Sequence, residues 1–401
     1  MWTVGWTERM KGTWVLLIVF FLSGCAIIGQ ERGEVVPLVP AFRWGAPPLV
    51  DDLDQASLEL AINRSIQYYD RLPESRQFRF GDRLYTTGEL KESLRDFLEI
   101  VRTSDSDKQW AERIGETFDL YRSVGGSGGT VLFTGYYEPI LAGSFVRTEK
   151  YRYPIYRTPD DHVFIDLGEF SGKYQGERLV GRIEGGRIVP YYTREDIDIK
   201  GCLEGRGLEL LWLADPIDIF FLQIQGSGAV SLPGGDLVQV SYEQSNGHPY
   251  TSVGRLLVEQ GKMSMEEVSL GGIKRYLRQH PDEMFDILSC NKSYVFFRIV
   301  EEGPVGSLDV TVTPGRSIAT DATLFPKGAL AFIRLKKPVT DEDGVIVSWE
   351  PFSRFVLNQD TGGAIKGAGR ADLFCGRGRD AEIMAGHLKE KGQLYFLVKK
   401  R

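Results

Sequence analysis

Two aspartates stand out as groups able to move a proton. Asp360 and Asp372 lie twelve residues apart within residues 357–378, LNQDTGGAIKGAGRADLFCGRG. Gly362, Gly363, Gly367 and Gly369 lie between them, and Gly376 and Gly378 follow. Glycine lets backbone approach backbone or a ligand closely. A carboxylate crowded by backbone loses hydration, which disfavours its charged form and raises its pKa. A raised pKa is what a general acid needs near neutral pH. The same pattern also suits two aspartates that merely cap turns.

A second feature is a density of aromatic and polar residues. It includes Thr134-Gly135-Tyr136-Tyr137-Glu138-Pro139, Tyr191-Tyr192-Thr193, Gln223-Ile224-Gln225-Gly226-Ser227-Gly228 and Asn246-Gly247-His248-Pro249-Tyr250. Aromatic faces stack on sugar rings, and Gln, Asn and Thr hydrogen-bond hydroxyls. Ordinary strand aromatics and turns would give the same composition.

Other chemistries lack their signatures. The four His are scattered without metal-ligand spacing. Gln225-Gly226-Ser227-Gly228 lacks the first glycine of a nucleophile elbow. Gly315-Arg316 and the glycines near 374–379 match neither phosphate-loop nor dinucleotide layouts. Cys202, Cys290 and Cys375 fit no zinc pattern and are expected to be small buried apolar side chains. No cofactor or metal is expected.

The elements that must position these residues come from a chain of 401 residues, 42% apolar, with a formal charge of −7. That length suggests two or three domains, with core enough to need no staples. An acidic balance argues against a nucleic-acid partner. Four Cys exclude a disulfide scaffold, and 46 Gly with 17 Tyr favour strands and turns.

The N-terminus reads as an address. Arg9 and Lys11 precede the apolar run Trp14 to Leu22, and Leu22-Ser23-Gly24-Cys25 follows. This is the layout of a secretory signal over residues 1–24. LSGC resembles a bacterial lipobox, which implies lipid on Cys25. Ala26 at the next position favours the outer membrane, facing the periplasm. Residues 25–50, with four Pro after residue 31, read as a tether.

Three helical patterns follow. The first carries Leu58, Ala61, Ile62, Ile66 and Tyr69. The second opens on the capping box Thr86-x-x-Glu89, and the third shows Trp110, Ile114, Phe118 and Tyr121. Beyond Thr130 the pattern turns to short strands: 131–137, 153–156, 187–192, 237–242, 308–312, 329–335, 345–349, 354–357 and 394–398. Helical stretches at 216–223 and 253–288 interrupt them, the latter with a second capping box, Ser264-x-x-Glu267. Nothing alternates as a βαβ sheet does.

Several long segments, in order, resemble the membrane-bound lytic transglycosylase A family. TGYYEP (134–139), DPIDIFFLQIQGSG (215–228), YEQSNGHPYTSVG (242–254) and NKSYVFFR (291–298) are similar to its central domain. TPGRSIATD (313–321), FPKG (325–328) and DTGGAIKGAGRADLFCGRG (360–378) are similar to its three-aspartate domain. The resemblance implies a mainly β fold: a double-psi β-barrel with an inserted second β-domain and peripheral N-terminal helices. The implied boundaries are 51–137 for helices and the first barrel strand, 138–303 for the insert and 304–401 for the rest of the barrel. It implies cleavage of the β-1,4 bond between N-acetylmuramic acid and N-acetylglucosamine in peptidoglycan, with a 1,6-anhydro product. By residue match Asp372 is the acid/base, Asp360 assists it and Asp321 is structural. Thr134, Gly135, Tyr136, Gln223, Gln225 and Ser227 fall on glycan-contacting segments. Implied partners are glycan strands, outer-membrane lipid and cell-wall synthesis proteins. Two other readings stay open: a hydrolase using Asp360 and Asp372 as a pair, and a glycan-binding lipoprotein without activity.

Overall fold

A computed structural model describes residues 36–41, 47–104, 106–126, 129–341 and 345–401. The signal segment, Cys25 and part of the tether lie outside the described residues. The remainder, Val36–Arg401, forms one compact unit.

Six strands close into a barrel. Lys389–Lys399 pairs antiparallel with Leu330–Thr340, which forms a long antiparallel pair with Ile346–Asp360. Ile346–Asp360 runs parallel to Ser317–Ala319, which pairs antiparallel with Arg370–Arg377. Arg370–Arg377 lies parallel to Val131–Glu138, and that strand returns to Lys389–Lys399. Closure leaves no free edge within the ring. The mainly β class and the barrel agree with expectation.

Alternation explains these strands. In Arg370–Arg377, Ala371 and Leu373 are buried while Arg370 and Asp372 are partly exposed, a period of two. Phe332, Phe355 and Phe396 are fully buried. Helices Gln55–Asp70 and Thr87–Thr103 cover the barrel from outside. Phe97 reaches Phe355 at 5.0 Å between ring centroids. The Thr86 capping box forms as read, with Thr86 N–H donating to Glu89 at 2.8 Å and Glu89 N–H donating to Thr86 Oγ1 at 3.3 Å.

Some expectations give way. Leu38–Pro40, read as tether, is a strand paired with Phe118–Ser123, because Leu38 is apolar enough to bury completely. Phe118 and Tyr121, read on a helix, belong to that strand, since helix Asp107–Thr117 stops before them. The Ser264–Glu267 box caps only a turn. Segments 345–349 and 354–357 are one continuous strand. Residues 308–312 form a loop in which Asp309 has φ of 55°, the left-handed region.

A second sheet of six strands is built from Ile140–Ser144, Tyr153–Tyr156, Glu209–Leu213, Ser227–Ser231, Leu237–Ser245 and Val295–Val300. Helices Pro216–Gln225, Val253–Glu259, Leu270–Gln279 and Pro281–Ser289 pack beside it around Phe220, Leu257 and Leu277. A three-stranded sheet, Val163–Asp166, Arg178–Glu184 and Arg187–Pro190, completes this part.

Candidate active site

Asp372 lies in the middle of a strand rather than in a glycine loop. Register places it beside Thr134 on one neighbouring strand and Ala319 on the other. Thr134 donates its hydroxyl to Asp372 Oδ1. Arg370, two residues earlier on the same strand face, donates to Thr134 Oγ1 at 3.1 Å and to Asp372 Oδ1 at 3.3 Å. Among the described residues Asp372 Oδ2 has no hydrogen-bond partner. The side chain is 19% exposed. Burial raises its pKa, and the Thr134 hydroxyl and the Arg370 charge pull it part of the way back.

Asp360 ends the strand Ile346–Asp360 and is saturated with donors. Ser307 N–H at 2.9 Å and Thr361 N–H at 2.8 Å both donate to Oδ1, and the Tyr136 hydroxyl donates to Oδ2 at 2.9 Å. Burial raises its pKa against the pull of those donors. Thr134 and Tyr136 stand two apart on one strand, so both carboxylates are held from the same face of Val131–Glu138.

Buried polar side chains fix where that strand ends. Gln359 accepts from Ser317 Oγ at 2.6 Å and donates to Ala61 O and Ser65 Oγ at 2.8 and 2.9 Å. Asn358 accepts from Thr320 Oγ1 at 2.8 Å and donates to Pro326 O at 2.9 Å. Arg316, wholly buried, donates to Asp51 at 2.6 Å and to Phe355 O at 2.8 Å, tying the segment before helix Gln55–Asp70 to the barrel. Glycine is needed at 306, where a Cβ would meet Gln359 O at 2.7 Å and Val312 at 2.8 Å.

Asp321 accepts from Thr323 N–H at 3.0 Å and from Gly367 N–H at 2.8 Å, pinning the loop between Asp360 and Asp372. Burial works to raise its pKa, but these donors outweigh it and the net shift is downward.

The proposed glycan contacts divide. Thr134 and Tyr136 reach the carboxylates, and Tyr136 uses its hydroxyl to hold Asp360. Gln225 accepts from Tyr137 N–H at 3.0 Å, which joins helix Pro216–Gln225 to the same strand. Gly135 instead makes room for helix Arg379–His387, since a Cβ there would lie 2.6 Å from Ala385 Cα. Gln223 is 6% exposed and accepts from Arg194 in the interior, and Ser227 is buried in the strand pair with Leu237–Ser245. Apolar neighbours at helical spacing carry Gln223 inward. Asn246 likewise anchors backbone, donating to Tyr192 O and Lys292 O at 2.8 Å each.

Arg370 was not singled out in the sequence, though its place two before Asp372 in a strand puts both on one face. Glu138 and Arg377 were also missed. They form an ion pair, with Glu138 buried and Arg377 exposed, that closes the far end of the two strands. Against expectation Cys290 is exposed and Cys202 and Cys375 are only partly buried, though burial still pushes the Cys375 thiol up to about 12.

With this geometry in hand, comparison with known proteins decides the family. The MltA specific insert domain matches residues 132–298 and the 3D domain matches residues 316–398. The crystal structure of MltA from Neisseria gonorrhoeae is 30% identical, covering 82% of this chain and 96% of its own, with a TM-score of 0.65. The chain belongs to the membrane-bound lytic murein transglycosylase A family. A membrane-bound lytic murein transglycosylase structure from Agrobacterium tumefaciens agrees, at 29% identity, 88% and 98% coverage and a TM-score of 0.70. The membrane-bound lytic murein transglycosylase A of Vibrio cholerae is 31% identical over 274 residues, 67% of this chain and 66% of that protein. Family membership makes the chain an enzyme acting on peptidoglycan.

Proposed function

We propose that Asp372 alone serves as acid and base in cutting the bond between N-acetylmuramic acid and N-acetylglucosamine. The observation that carries this reading is the contrast between the two carboxylates. Both oxygens of Asp360 are taken by donors, whereas Oδ2 of Asp372 is unengaged among the described residues. A saturated carboxylate is a poor base or nucleophile, which disfavours the paired-carboxylate hydrolase.

Protonated Asp372 gives its proton to the glycosidic oxygen as the C1–O bond breaks. The carboxylate left behind removes the proton from the muramyl C6 hydroxyl as that oxygen bonds to C1. The product is a 1,6-anhydro sugar, no water is consumed, and Asp372 ends protonated again. An intramolecular hydroxyl replaces the activated water because it is already held near C1. Burial supports the first step by favouring the protonated acid. Thr134 and Arg370 support the same step by stabilising the carboxylate that forms as the proton leaves. Asp360 and Asp321 order the surrounding backbone, and Tyr136 and Gln225 lie on the segments that would contact glycan.

The segments 51–137, 138–303 and 304–401 serve as helical flank with first strand, groove wall and barrel. Lipid on Cys25 anchors the enzyme to the outer membrane, facing the periplasm, where cell-wall synthesis proteins are its candidate partners. Basic residues, a short apolar run and LSGC support that anchor. Asp372→Asn tests the mechanism, since it keeps an acceptor for Thr134 and Arg370 but cannot cycle a proton. Activity on peptidoglycan should fall to background while glycan binding survives.

A further inference from the structure

A cavity of about 310 Å³ opens at the loop Ser307–Asp309. Tyr68, Arg71, Arg76, Ser307, Asp309 and Lys327 line it. Ser307 connects it to the active site, because its N–H donates to Asp360 Oδ1. Arg71 is occupied by Leu308 O and by Asp309 O at 2.9 Å, and Asp309 is also paired with Arg298 at 2.8 Å. Lys327 and Arg76 are different. Among the described residues neither head group meets a carboxylate. Arg76 lies only against the Phe78 ring, at 5.7 Å.

Lys327 is half-buried, with Arg76 and Arg178 close enough to work against its charge. Burial first, then those two cations, lower its pKa. Arg178 comes from the three-stranded sheet of the inserted segment and is paired there with Asp166 at 3.5 Å, which leaves Lys327 and Arg76 as the cations without a carboxylate partner among the described residues. Cations crowded together without counter-charge cost stability. Such crowding is balanced when an anionic ligand binds, and carboxylates take charge-assisted hydrogen bonds from both Lys and Arg.

Resting on the reading of Asp372 as a peptidoglycan-cleaving acid, we infer that Lys327 and Arg76 form a subsite for a carboxylate carried by the muramic acid side chain. Two sources share that chemistry: the carboxylates of the peptide stem, and the lactyl carboxylate left where the stem has been removed. Plain N-acetylglucosamine oligomers have neither. The subsite would therefore distinguish wall glycan from uncharged glycan and would set the register of the strand over Asp372.

Calorimetry in an Asp372→Asn background, where strands are not cut, tests this. The ligands are an uncharged chito-oligosaccharide, peptide-stripped glycan strands and peptide-bearing strands. Lys327→Gln and Arg76→Gln should each lower the affinity ratio of charged to uncharged ligand about tenfold, the size of one charged hydrogen bond. They should also flatten the salt dependence of charged-ligand binding. A fall on peptide-stripped strands alone identifies the lactyl carboxylate, a fall on peptide-bearing strands alone identifies the stem, and a fall on both shows that the subsite takes either carboxylate. Ratios equal to those of the unsubstituted protein, in variants whose melting temperature is retained, overturn the subsite. If no glycan binds the unsubstituted protein, the catalytic reading itself fails and the subsite falls with it.

Discussion

Asp360 and Asp372 both align with Ala319, one on each side of the strand Ser317–Ala319. Two strand spacings therefore separate their backbones, roughly 10 Å. Tyr136 and Thr134 then bring each carboxylate to the same face of a third strand. Donors occupy both oxygens of Asp360, while among the described residues Oδ2 of Asp372 has none, a contrast on which the proposed division of roles rests.

Arg370→Gln should move the alkaline limb of the pH–rate profile upward. The proposed mechanism needs protonated Asp372, so activity should fall as pH rises through its pKa. Arg370 lowers that pKa, and removing it raises the pKa. A shift of the limb to lower pH, or none, would show that the Arg370 contact is not made in solution.

Asp372→Asn should stabilise the fold at neutral pH. The folded pKa of Asp372 is raised, so its contribution to stability is full at low pH and is lost as pH rises through that value. The variant lacks this loss. Its melting temperature should exceed that of the wild type near pH 7 and converge with it well below the ordinary carboxylate range. Equal melting temperatures at both ends would mean the carboxylate is not desolvated.

Tyr136→Phe removes one of three donors to Asp360 and leaves the ring in place against Phe374. A hydrogen bond to a charged group is worth about 1.5–3 kcal/mol. Denaturant unfolding should show a loss of that order, with activity reduced but well above background. Loss of all activity in a folded variant would give the hydroxyl a direct catalytic part.

Arg316→Leu should cost about 3–5 kcal/mol, because it strands the Asp51 carboxylate, 3% exposed, without its partner. Denaturant unfolding measures this. A cost under about 1 kcal/mol would mean that Asp51 finds another partner or water.

Much of the fold was legible because its signals are local. The Thr86–Glu89 box and the apolar face of helix Thr87–Thr103 needed no distant partner to be read. Asp372 was legible as a motif, but its strand was not, since flanking glycines masked the short alternation of Ala371 and Leu373. Asn358, Gln359 and Arg316 look like surface residues in the sequence. Only closure of the barrel brings Ala61, Ser65 and Asp51 to meet them. Gln223 and Tyr136 show the converse. Both suit sugar binding by type, yet one is turned into a core and the other toward Asp360.

The product of peptidoglycan cleavage in 18O-labelled water tests the single-carboxylate mechanism most directly. Closure of the C6 hydroxyl onto C1 requires a terminal muramyl residue one water lighter than the hydrolytic product and free of label. Mass spectrometry of the released fragments should show that species with wild-type enzyme and none above background with Asp372→Asn. A labelled reducing end would contradict it and would assign the two aspartates to hydrolysis.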